Sequence, residues 1–165
     1  MANLDAALAD TRAAADELMA TAERAGAAWA TPRAPGKWSP SQLVEHVSRA
    51  LEESAHVVTE HPSKFPSLPS FVRPLLRGLL FKRVLKTGKF PKGRAPKAFN
   101  PTQGSATPAD ARRRLDGAVT SFEQACRART ANAPTFDSSV FGRLAVVDYV
   151  RFQELHTRHH CRQLA

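Results

Sequence analysis

The chain has 165 residues, 42% of them apolar and 24% charged, which suits one domain with its own core and not a disordered polymer. No basic stretch followed by an apolar run opens it, the longest apolar stretch (75–85) is interrupted by Arg77, Lys82 and Arg83, and Cys126 and Cys161 have neither zinc-type nor disulfide-framework spacing. A signal peptide, a transmembrane span and a disulfide scaffold are therefore not expected, and a cytoplasmic location is. The net charge of +9 belongs to one segment: ten Lys or Arg and no acidic residue fall between His61 and Ala109, leaving the remainder close to neutral.

Leu4, Leu8, Thr11, Ala15, Leu18, Ala22, Ala25 and Trp29 recur every three or four residues and predict a long amphipathic helix, ended by Pro32, Pro35 and Gly36. The next start signal is stronger. Ser39 is an N-cap, Pro40 takes the first helical position and Gln42 closes a capping box, while Trp38 and Leu43 hold the positions of a hydrophobic staple. That helix should run to about Glu60, before Pro62. From 62 to 106 prolines and glycines break the pattern around a short basic helix, Leu75 to Lys86, so the segment reads as a long crossover. Thr107-Pro108-Ala109-Asp110 caps a third helix with an apolar face of Ala111, Leu115, Ala118, Val119, Phe122 and Cys126. The stretch Asn132 to Gly142 reads as a loop, and a last helix begins near Ala145. Four amphipathic faces that need one another predict an all-α, four-helix bundle filling 1–165 as a single domain.

On the last helix, at ~100° per residue, Tyr149, His156, His160 and Gln163 fall on one inward stripe with Phe152 and Gln153 beside it. His156 and His160 lie one turn apart, the spacing that two ligands of one ion need. On the second helix His46 borders the apolar arc, so its ring can reach the interior. Paired histidines are equally at home as hydrogen-bonded polar residues at a core boundary, and spacing alone leaves both readings open.

The run Leu155-His156-Thr157-Arg158-His159-His160-Cys161-Arg162-Gln163-Leu164 resembles the closing H-x-x-H-H-x-x-Q motif of the DinB-like superfamily. Gly36-Lys37-Trp38-Ser39-Pro40-Ser41-Gln42-Leu43-Val44-Glu45-His46 is similar to its other signature, a Trp-Ser/Thr-capped helix bearing one histidine two turns in. The loop Phe141-Gly142-Arg143-Leu144 and the Pro-rich crossover suggest a subfamily of their own. The resemblance implies a four-helix bundle with His46, His156 and His160 as metal ligands and His159 as their supporting neighbour, a choice that its helix angle also favours. The family's crossover would bring all three ligands to one end.

Three imidazoles leave an ion its double charge and an open position, the pattern of catalytic rather than closed structural sites. Zn, Ni or Fe would suit them. His159, Gln163, Gln153 and Tyr149 could orient or hydrogen-bond, while Cys161 points away and Cys126 reads as a small buried hydrophobe. Some members of the superfamily are metal-dependent thiol transferases. The resemblance thus implies an enzyme, a transferase or hydrolase acting on a small-molecule substrate, in which the metal activates a low-molecular-weight thiol. Arg77, Lys82 and Arg83 would attract an anionic cofactor. A competing reading is a binding module whose segment 64–97 docks on nucleic acid or an anionic membrane, although no aromatic series or recognition motif supports nucleic acid. A third is a metal-binding bundle with a structural or dimerisation role, and a homodimer is compatible with either metal reading.

Overall fold

The computed structural model describes residues 3–91, 93 and 96–164, so Lys92 and Arg94 of the basic block lie outside the described residues. The chain is mostly helical. Asn3 caps the first helix by accepting the Asp5 amide at 2.9 Å, and α1 runs Leu4–Glu23. It stops short of the predicted Trp29 because Gly26 adopts a positive φ of 54°, which a residue without Cβ takes at little cost. A single tight turn, Gly26–Ala28, then tucks the Trp29 ring under cover.

Helix α2, Pro40–Val58, begins as its sequence predicts. The Ser39 hydroxyl accepts the Gln42 amide at 3.3 Å and the Gln42 side chain accepts the Ser39 amide at 2.9 Å, so both halves of the capping box form. The rest of the Gln42 amide reaches outward and donates to the carbonyls of Pro101 (3.2 Å) and Thr102 (3.0 Å). Trp38 donates to Asn100 Oδ1 and Trp29 to the Ser105 carbonyl, each at 2.9 Å. The segment 99–105 thus clasps the start of α2. Gly104 sits so close that a Cβ there would lie 2.3 Å from the Ser41 carbonyl carbon and oxygen. Changing Gly104→Ala should therefore cost about 1–3 kcal/mol, as overpacking against an unyielding backbone does. An unchanged melting temperature would show that the clasp is loose.

The segment following α2 carries a helical run in three consecutive pieces: α3 (Arg73–Leu76), a wider π-helical turn (Arg77–Lys82) and α4 (Arg83–Thr87). It is longer by two residues at its start and one at its end than the predicted 75–86. Its inner side buries Phe81 and Val84, with Phe81 stacked 5.0 Å from Phe152. Lys82, Arg83 and Lys86 stay in solvent.

Thr107 caps α5 (Pro108–Asn132) by accepting the Asp110 amide, and all six residues of its predicted apolar face are buried. The stretch expected to be a loop is instead a short antiparallel hairpin, β1 (Thr135–Ser138) on β2 (Gly142–Ala145), in register Phe136 opposite Leu144. Both of those side chains are buried, and packing against the helices supplies what the four-residue strands lack alone. Helix α6 (Val146–Leu164) follows directly. α1 lies along α6 and α2 along α5, and one core that includes Leu18, Val47, Leu51, Leu115, Phe122 and Val150 joins them. Among the described residues no helix is long and apolar enough to cross a membrane.

Candidate metal centre

His46 sits early in α2, His156 and His160 late in α6, and the packing brings these ends together. His46 Nε2 is 3.4 Å from His156 Nε2, and His160 Nε2 is 3.1 Å from the same atom. One ligand atom from each ring lies within 4.8 Å of the other two. Nitrogens on a tetrahedral ion with bonds of ~2.0–2.1 Å stand about 3.3 Å apart. Two of the three separations are close to that value, and the third is within 4.8 Å.

The outer nitrogens explain which atoms face inward. His46 Nδ1 donates to the Phe99 carbonyl at 2.7 Å, and His160 Nδ1 donates to Gln163 Oε1 at 2.9 Å. Each neutral ring has one proton to give, so both Nε2 atoms are left as bare lone pairs. His156 can offer its single proton to only one of them. Three inward nitrogens therefore share at most one proton, an arrangement that a cation satisfies and hydrogen bonding alone does not. Fixing the outer nitrogen on a carbonyl is also how metal-bound imidazoles are generally oriented.

Burial is the main force on the charge state of this cluster. It lowers His46, against a smaller opposing effect of the Phe99 bond; it lowers His156 well below the ordinary range; and it brings His160 down to about 3, with His46 adding to the effect. At neutral pH all three are uncharged and ready to donate electrons. Among the described residues no carboxylate competes, since Glu45 turns outward to Arg49 (2.7 Å) and Arg114 (3.4 Å). A divalent ion held here keeps its full charge.

The sign of the linkage follows. Above the unfolded value of about 6.5 these rings are neutral in both states and contribute no pH dependence. As pH falls below it the unfolded chain takes up protons first, so the metal-free protein should lose stability progressively from there toward the folded values. Urea unfolding of chelated protein at pH 7, 6 and 5 isolates the histidines from most carboxylates, and a level midpoint over that range would contradict their burial.

The remaining predicted residues divide by depth. Gln163 bridges the cluster, accepting from His160 and donating to His159 Nε2 at 3.1 Å. His159 is half-buried, its pKa lowered by burial and then by Arg162. Tyr149 and Gln153 lie deeper, hydrogen-bonded to each other, with the Tyr149 hydroxyl also 3.0 Å from Ser54 Oγ. Neither hydrogen-bonds a histidine of the cluster. Arg77 donates to the Arg143 carbonyl on β2, and Lys82 and Arg83 face solvent. Cys161 is buried beside Thr21, and burial raises the Cys126 thiol to about 12, so Cys126 is not a reactive thiolate.

Three contributors to the site escaped the sequence reading. The Trp38 ring lies 4.6 Å from His46, and the Phe90 ring 5.5 Å from His156 and 5.3 Å from His159, so an aromatic wall stands on two sides. The Phe99 carbonyl is the third. An aromatic residue isolated among lysines was the available sign for Phe90, whereas a backbone carbonyl leaves none.

No curated protein and no solved structure matches the chain. A sequence model of the DinB superfamily matches residues 3–164, nearly the whole length and including both histidine-bearing segments. With the mostly helical fold and a histidine cluster compatible with metal binding, that match places the protein: the chain belongs to the DinB superfamily.

Proposed function

We propose that the protein is a metal-dependent enzyme on a four-helix bundle of DinB-like type, with His46, His156 and His160 as ligands through Nε2. The observation that carries this reading is the convergence of three Nε2 atoms, two of which, on His46 and His160, are bare lone pairs because their Nδ1 protons are already engaged. A zinc, nickel or iron ion held by His46, His156 and His160 as neutral imidazoles would lower the pKa of a bound water or thiol. Phe99 and Gln163 keep His46 and His160 in the ligating tautomer, while Trp38 and Phe90 shield the cluster from bulk water. Among the described residues no strong general base adjoins the cluster, which favours a reaction whose nucleophile is made by pKa depression alone. A low-molecular-weight thiol attacking an electrophile meets that condition, and thiol S-transfer is our leading reaction class.

Elemental analysis of untagged protein tests the first step and should find one divalent ion per chain. Thiol consumption with a set of electrophiles, with and without chelator, tests the second. Stoichiometric metal without chelator-sensitive turnover would retain the centre and reject the transferase. Absence of metal after growth and refolding with zinc, nickel and iron in turn would reject both.

A further inference from the structure

Among the described residues, the large apolar side chains left open to solvent are Phe71 (81% exposed), Leu75 (59%) and Leu79 (64%). They are not scattered. Leu75, Leu79, Lys82 and Lys86 are spaced by four, three and four residues along the helical run Arg73–Thr87, and Phe71 immediately precedes it at the same four-residue interval. All four helical residues are exposed, and Arg83 is exposed beside them. The opposite side of the run is committed to the core through Phe81 and Val84. The helix is therefore apolar on two sides, one buried and one open, with cations bordering the open side.

We propose that this outer face docks on an anionic lipid surface. Leucine and phenylalanine side chains enter the boundary between headgroups and acyl chains, while lysine and arginine stems extend upward to keep their charges among lipid phosphates. No acidic residue lies between His61 and Ala109 to repel such a surface. The same charge pattern argues against a second copy: a two-fold contact through this face would gather two sets of Lys82, Arg83 and Lys86 in one interface, with no acidic residue of the segment to pair them. Nucleic acid would satisfy the cations but leave the leucine stripe without an apolar partner. The surface is independent of the histidine cluster, so it stands whether or not the metal reading does.

The test is co-sedimentation of the full chain with vesicles of phosphatidylglycerol mixed with phosphatidylcholine, against phosphatidylcholine alone. Binding should require the anionic lipid and weaken with salt. Leu75→Gln with Leu79→Gln, which leaves the charge untouched, should lower the partition coefficient by about tenfold or more, and so should Lys82→Gln, Arg83→Gln and Lys86→Gln together. These side chains are exposed, so melting should be unchanged. If the leucine pair melts early, Phe71→Gln, outside the helix, takes its place with a smaller loss in the same direction. Wild-type binding by the leucine variant would reduce the effect to nonspecific charge and overturn the proposal. Equal binding to neutral vesicles would overturn it too, as would a wild-type dimer that the leucine changes disperse.

Discussion

His46→Ala should remove the metal while leaving the protein folded. The variant loses one of the three proposed ligands and the only one of them supplied by α2, so its affinity should fall by more than the about 10–100-fold typical of losing an orienting partner. Metal content after dialysis should drop from one ion per chain to near none, and any metal-dependent turnover should vanish with it. His56→Ala is the matched control, since His56 lies on the same helix but is exposed. It should bind metal as wild type does. Stoichiometric metal in the His46 variant would end the three-histidine assignment, whatever its activity.

Phe99→Ala tests whether the segment before α5 builds the centre or merely covers it. The Phe99 ring is 2% exposed and stacks 4.5 Å from Phe65, while its carbonyl holds His46. Removing a buried phenylalanine ring costs about 3–5 kcal/mol where the surroundings cannot collapse. Thermal melting of the metal-free protein should register that loss. Metal affinity should fall as well, by about 10–100-fold, because the carbonyl that orients His46 is no longer pinned. Phe99→Leu fills most of the volume and should recover much of both losses. A variant that melts early yet binds metal as tightly as wild type would separate the two roles.

Where the fold could be read ahead of the structure, local chemistry was decisive. Ser39, Pro40 and Gln42 specify the start of α2 through bonds within four residues, and those bonds form. The α5 face was legible because a helix of that length repeats its period often enough to be unmistakable. The hairpin was not, since four-residue strands complete barely two alternations, and its stability comes from burying Phe136 and Leu144 on distant helices. The end of α1 depended on the positive φ of Gly26, which the apolar spacing of Ala22, Ala25 and Trp29 on either side of it concealed. At the site the asymmetry is similar. His46, His156 and His160 stood out by type and spacing, but it was the family resemblance that grouped them as a ligand set, and Gln163 shares their stripe. The carbonyl of Phe99 is a main-chain atom common to every residue, so only the path of the chain reveals it.

The rings of His46 and His156 stand 110 positions apart in the chain. An ion joining them would act as a reversible cross-link over that span, restricting the unfolded chain much as a disulfide does. Cross-links closing loops of about 100 residues stabilise by roughly 4–5 kcal/mol in the chain-entropy description. A centre kept for reactivity would then double as a fastener, and metal supply would govern how much of the protein survives heating as well as how much of it works.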